Sequence, residues 1–387
     1  MTGGRVQEST RRLALTVAGA VDMLVALVAV PSSSSASVSP RGPVVPAVMD
    51  GVWCGPGQCV AAGELSSLGA MRLWTLTHGQ WGVVPLSLRK ATRGLIVSLS
   101  CPQLGSCVGV GYAEVGVGGN YVGFAEQLKA GVWLQMPLPS GTPGLRSVSC
   151  VSSTWCMAVG ATTVEPTNGA ALVWNGTAWT HVSTATVSPS SGLWAVSCRS
   201  STVCMAAGYS DAAPLAESWN GTSFTVTTPP PSPPVEGGSG LDAISCTSAG
   251  FCLAVGIESG CCGSTGGFAM AWNGSAWSNV TMSTALYAAA LTGVSCATST
   301  SCLAVGTTSP ADEQHFLPQA DVGIWGGSSL TALRGAMVGK QSALEAVSCT
   351  RANWCAAVGS FTTPSGAAQP LVERWDGVTL NRMFVPG

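Results

Sequence analysis

Ser147-Val148-Ser149-Cys150, then Cys156-Met157-Ala158-Val159-Gly160, then Trp174-Asn175-Gly176-Thr177-Ala178-Trp179: these three segments, in this order, decide the fold. Each returns along the chain. Ala195-Val196-Ser197-Cys198 and Ala346-Val347-Ser348-Cys349 echo the first, and Cys302-Leu303-Ala304-Val305-Gly306 echoes the second. Trp219-Asn220-Gly221, Trp272-Asn273-Gly274-Ser275-Ala276-Trp277 and Trp375-Asp376-Gly377 echo the third. The cysteines set the period. They fall as Cys54/Cys59, Cys101/Cys107, Cys150/Cys156, Cys198/Cys204, Cys246/Cys252, Cys296/Cys302 and Cys349/Cys355, with successive first members 47, 49, 48, 48, 50 and 53 residues apart.

Each unit predicts four short strands. A β-type run enters the first cysteine, a Ser/Thr-rich turn follows in most units, and the second cysteine opens a strand that ends at Gly. After a loop of variable length, a hairpin closes the unit. The Asn-Gly and Asp-Gly pairs point to tight turns needing positive φ. A two-residue turn at Asn175-Gly176 would make Trp174 and Trp179 diagonal neighbours on one face. No helical periodicity appears. A lone four-stranded unit cannot bury both faces, whereas seven around an axis do so and leave only short edges. The expected fold is therefore all-β: a seven-bladed β-propeller with four antiparallel strands and one disulfide per blade. Blades are expected to start near residues 46, 94, 143, 191, 240, 290 and 343, giving a propeller over 46–387. An open β-solenoid is the rival reading; its coils are usually shorter and its strands parallel.

Five intervening residues, four in the first unit, let the paired cysteines face each other on adjacent strands. Facing Cα atoms there lie about 4.5–5.5 Å apart, within disulfide reach. Each bridge should stabilise by about 2–3 kcal/mol. Zinc would instead prefer two- to four-residue spacing and four convergent ligands. Sixteen cysteines in such a pattern imply an oxidising compartment. Cys261-Cys262 alone stand outside it, and a strained vicinal ring, a bond to another molecule and a redox role are all open readings.

The N-terminal residues agree with export. Arg5, Arg11 and Arg12 precede an apolar stretch over residues 13–30, and Ser34-Ser35-Ala36 offers a cleavage site. Residues 1–36 are read as a signal peptide, followed by a Ser/Pro-rich linker over 37–45. An uncleaved anchor is the alternative, although Asp22 inside the apolar stretch opposes it. The expected localisation is secreted or extracellular, with cell-surface anchoring as the alternative. Charged residues make up 9% of the chain, with net charge −2 and only three lysines, Lys90, Lys129 and Lys340. Nucleic-acid affinity depends on clustered cations, so nucleic acid is excluded as a partner.

In its Val-Gly strand end and its Val372-Glu373-Arg374-Trp375-Asp376-Gly377 segment, the unit resembles a kelch-type blade. With its Ser-Cys, Cys-x-Ala-Val-Gly and Trp-Asn-Gly elements it is also similar to repeats of uncharacterised secreted actinobacterial proteins. It departs from kelch in carrying one Gly where kelch carries two, and in its cysteines. Kelch propellers mostly bind partners, so the resemblance implies a binding role. Some kelch-like propellers are copper radical oxidases using Tyr, His and a Cys–Tyr crosslink; here every repeat cysteine belongs to a pair.

Strands numbered outward from the axis place the variable second-to-third loops and the blade-to-blade connections on one face. Rigid scaffolds carry recognition on such loops. Loop length varies there: Trp219 follows Gly208 by 11 positions, but Trp325 follows Gly306 by 19. Ligand-binding candidates are Tyr112, Glu165, Tyr209, Asp211, Glu258, Asp312, Glu313 and His315. No metal or other cofactor is expected. No catalytic group is assigned; Asp50, Asp242 and Glu345, near the starts of the innermost strands, are the candidates under the enzymatic alternative. The reading is a secreted or cell-surface non-catalytic binding propeller for an extracellular protein or glycan, with a carbohydrate-active hydrolase or lyase as the alternative.

Overall fold

The computed structural model describes residues 47–65, 70–84, 94–103, 105–115, 120–162, 169–185, 188, 190–230, 238–259, 265–308, 318–334 and 338–386. Residues 1–45, read above as signal peptide and linker, and Glu165, Cys261-Cys262, Asp312, Glu313 and His315 lie outside the described residues. Val44–Gly387 is one compact unit. It holds seven antiparallel sheets, each a meander of four consecutive strands. The innermost strands, blade 1 to blade 7, are Ala47–Gly55, Gly94–Gln103, Leu145–Ser152, Ser191–Ser200, Ser239–Ser248, Ala289–Thr298 and Gln341–Arg351. Blade 6 gains a fifth strand, Thr281–Met282, pairing in parallel with Ser329–Arg334.

Seven hydrophobic clusters hold the ring, one at each interface between neighbouring blades. Each second strand is covered on both faces, which explains its unbroken apolar run: Cys156 to Gly160 are all buried. The ring closes where Ala356, Val358 and Val372 of blade 7 pack with Ala47, Met49 and Trp74 of blade 1. Past the last strand, the Pro386 carbonyl accepts the Trp74 indole N–H at 3.2 Å.

All seven expected bridges form. The Cα–Cα separation is 4.1 Å in Cys54–Cys59, 3.9 Å in Cys150–Cys156 and Cys296–Cys302, and 4.0 Å in Cys101–Cys107, Cys198–Cys204, Cys246–Cys252 and Cys349–Cys355. These distances correct the sequence reading, which placed the facing atoms farther apart. Hydrogen bonding explains the difference. In six blades the amide of the first cysteine turns away from its disulfide partner towards the preceding blade, where a serine hydroxyl accepts it. Such facing pairs, with no ladder bond between them, are the closer kind in antiparallel sheets. The serine contacts run Ser100 to Cys150, Ser149 to Cys198, Ser197 to Cys246, Ser245 to Cys296, Ser295 to Cys349 and Ser348 to Cys54, at 2.9 to 3.0 Å. This is what the Ser-Cys dipeptide is for. It satisfies an inner-edge donor that would otherwise cost about 1–3 kcal/mol when buried. At the seventh junction Trp53 replaces the serine and packs beside the blade 1–blade 2 core.

The second cysteine of each bridge also belongs to the core. Cys59, Cys107, Cys156, Cys204, Cys252, Cys302 and Cys355 are all buried, each within a different one of the seven clusters between blades. A bridge thus ties the inner strand to a side chain already packed against the neighbouring blade.

The hairpin tryptophans differ from the sequence reading. Trp174 and Trp179 face each other directly instead of diagonally, with ring centroids 5.8 Å apart. Nor does Asn175 supply a positive φ; only Gly176 does, at 94°. The Asn175 Oδ1 instead accepts the Thr177 and Ala178 amides, both at 2.9 Å. The central residues are thus Gly176-Thr177, and the asparagine caps the turn. Trp174, Trp219, Trp272, Trp325 and Trp375 each donate an indole N–H to a carbonyl in the cysteine hairpin of the same blade, at 2.9 to 3.4 Å.

Candidate functional site

The strand-ending glycine of every blade positions the site. Opposite Gly160 the register slips: Gly160 pairs with Leu145 and Val159 with Ser147, so Arg146 is left without a partner. The same one-residue bulge skips Asp50, Val97, Trp194, Asp242, Thr292 and Glu345. A Cβ on Gly63, Gly111, Gly160, Gly208, Gly256, Gly306 or Gly359 would collide with a carbonyl beside the bulge of its own blade. Glycine there admits the bulge, and the bulge re-aims one side chain.

All seven skipped residues line an axial cavity of about 480 Å³. They also line a second cavity of about 260 Å³ that continues along the inner strands. The larger one lies within the usual range of small-molecule sites. Tyr112, Tyr121, Gly144 and Ala161 complete its wall. Tyr112 and Ala161 come late in second strands and Tyr121 early in a third, so the cavity opens on the face of the variable loops.

The ring is chemically divided. Blades 5, 6, 7 and 1 contribute Asp242, Thr292, Glu345 and Asp50; blades 2, 3 and 4 contribute Val97, Arg146 and Trp194. The Arg146 guanidinium lies over the Trp194 ring, 5.5 Å from its centroid, and Tyr209 packs against the same ring at 4.7 Å. Tyr112 and Tyr121 meet edge to face at 5.3 Å. Burial pushes the Asp50 carboxyl up to about 7, reinforced by Glu64 and Glu345. Burial also takes Asp242 to about 7, against the opposing pull of Arg146 and the Ile257 amide. It raises Glu345 as well, and it raises the Tyr112 phenol, helped by Asp50. Asp50 Oδ2 and Asp242 Oδ2 are buried without a hydrogen-bond partner.

The remaining sequence candidates scatter. Asp211 sits at positive φ in an exposed turn, and Glu258 lies near the end of the second strand of blade 5, where burial raises its pKa. Tyr209 supports Trp194 from behind. The bridge cysteines, Cys59, Cys107, Cys252 and Cys355 among them, sit in the cores between blades and take no part in the cavity wall, so their role is structural. His78 and His181 are absent from that wall as well. Among the described residues no group of three or more His, Cys, Asp or Glu side chains is placed to hold a metal. Arg146, Trp194 and Tyr121 were missed from the sequence. The first two had a signal: each stands four residues before the first cysteine of its unit, as Asp50, Asp242 and Glu345 do.

Fold and site together define a seven-bladed β-propeller with an axial cavity. No protein-family model and no curated protein matches this chain. Among solved structures the chain is similar to YCF48 bound to D1 peptide, at 14% identity and a TM-score of 0.55 over 86% of this chain and 92% of that one. YCF48 from Cyanidioschyzon merolae aligns at 12% identity and a TM-score of 0.53, covering 89% and 97%. Polysaccharide lyase PL25, an ulvan lyase bound to -[GlcA(1-4)Rha3S]-, aligns at 9% identity and 0.55, covering 86% and 93%. At these identities the likeness is one of fold.

Proposed function

We propose that this chain is an exported binding propeller whose ligand occupies the axial cavity, entering from the face of the variable loops. One observation carries the reading: seven bulges, one per blade, each spend a side chain on the cavity wall. A ring kept only for packing would be filled with apolar side chains. This one presents three carboxyls, an arginine, a tryptophan and two tyrosines, the mixture of apolar platforms and a few polar groups typical of ligand sites. Seven disulfides are consistent with an extracellular setting. Proteins of this fold include one bound to a peptide and one bound to a polysaccharide unit, so the fold accommodates both classes.

A carbohydrate-active enzyme is the second reading. Its support is the pair Asp50 and Glu345 on neighbouring blades, with Asp50 raised into the range of a general acid. A combined glycan and peptide array, followed by a turnover screen on polysaccharides, tests both. Binding that is lost in Trp194→Ala, with no turnover, is the expected result. Turnover that disappears in Asp50→Asn would replace it with the enzymatic reading, and binding indifferent to Trp194 would remove the cavity from the account.

A further inference from the structure

The two halves of the ring bear ionisable groups of opposite kind, and Arg146 makes no hydrogen bond to the acidic ones. Arg146 is stacked over Trp194, and its influence on Asp242 is coulombic, without a hydrogen bond between them. Asp50 Oδ2 and Asp242 Oδ2 have no hydrogen-bond partner although they are buried. Buried charge is costly unless it is paired. A cationic ligand would meet the acidic arc and leave Arg146 unpaired. An anion would do the reverse, and a neutral sugar would leave both poles as they are. One ligand type answers both at once.

Resting on the binding reading above, we propose that the axial cavity takes a zwitterion of the peptide type. Its ammonium group lies on the side of Asp50 and Glu345, its carboxylate on Arg146, and the side chain next to the carboxylate against Trp194. The planar guanidinium suits a carboxylate in particular, because its N–H donors match both oxygens. Arg146 lies 5.5 Å from the Trp194 centroid and lines the cavity. Trp194 and Tyr112 line the same cavity and provide apolar area for a terminal side chain. A cavity of about 480 Å³ has room for an amino acid or a few residues of peptide.

The test is calorimetric titration of the folded chain at pH 8, above the values near 7 of Asp50 and Asp242. The probes are Gly-Gly-Phe, its N-acetyl form, its C-terminal amide and the doubly blocked peptide, with a panel of neutral oligosaccharides alongside. Free Gly-Gly-Phe should bind most tightly, and blocking either end should weaken it about tenfold or more, as loss of a charge-assisted contact implies. In Arg146→Gln the acid and the amide should bind alike. In Glu345→Gln the free and acetylated amines should converge. Blocked peptides that bind as well as the free one, or no peptide binding at all, would overturn the proposal. An oligosaccharide bound instead, and lost in Trp194→Ala, overturns the zwitterion while leaving the cavity a binding site. Silence from every probe counts against both.

Discussion

The hydroxyl of Ser149 accepts the amide of Cys198 at 2.9 Å across the boundary between blades 3 and 4. That amide points out of its own sheet because Cys198 faces Cys204 with no ladder bond between them. The disulfide and the serine contact are two results of one register. Ser149→Ala should therefore destabilise by about 1–3 kcal/mol by stranding a donor. Thermal melting should show a fall of a few degrees, and an unchanged midpoint would mean that water replaces the hydroxyl.

Removing one bridge, as in Cys150→Ser with Cys156→Ser, should cost about 2 kcal/mol, the chain-entropy value for so short a loop. Reductant should lower the melting temperature of the parent by more than any single bridge does. Indifference to reductant would show that the sheets hold without sulfur.

Asp50 and Asp242 both titrate near 7 in the folded chain, far above their ordinary 3.8. Between those values the folded state holds protons that the unfolded chain has released. Stability is thus full at low pH and is lost as pH rises through about 7. Melting temperature should fall between pH 5 and pH 8. Asp50→Asn with Asp242→Asn should flatten that slope and stabilise by about 1–2 kcal/mol per site at pH 8, a figure well below the full shift because both groups retain some solvent. A protein more stable at pH 8 than at pH 5 would contradict the buried placement of both carboxyls.

Gly208→Ala tests the bulge. The new methyl would strike the Gly192 carbonyl, which is backbone and cannot swing aside. The expected cost is about 3 kcal/mol or more, above the roughly 1 kcal/mol of an ordinary conformational change at glycine. Gly82, where a Cβ meets nothing within 4 Å, supplies the control. Equal melting temperatures for Gly208→Ala and Gly82→Ala would show that the inner strand relaxes freely.

Fold class, blade number and disulfide pairing were legible because each depends on a feature that every unit repeats. Cysteine spacing reports facing strands, and the Trp-Asn-Gly segment reports a hairpin. The details that failed were local geometry. Spacing alone does not say which kind of facing pair Cys252 or Cys355 joins, so the bridges came out shorter than expected. Asn175 caps its turn by hydrogen bonding, which its residue type permits as readily as a positive φ. The site was half legible. Asp50, Asp242 and Glu345 stood out as carboxylates near the starts of the innermost strands, but Arg146 and Trp194 share with them only their place four residues before a cysteine. What unites the five is a skipped pairing, and a bulge leaves no mark on hydrophobic alternation beyond the glycine opposite it. Tyr121 carried no such mark, since it falls outside the repeated elements.

Because each bulge lies off the pairing ladder, the residue it ejects takes no part in the strand pairing of its own blade. Any of the seven can be exchanged while serine bridges, sulfur bridges and interblade cores stay as they are. The residues facing the axis and those that make the serine bridges, sulfur bridges and interblade cores are thus different positions of the same repeat. A library varied only at residues 50, 97, 146, 194, 242, 292 and 345 would recast the chemistry of the axis on an unaltered frame.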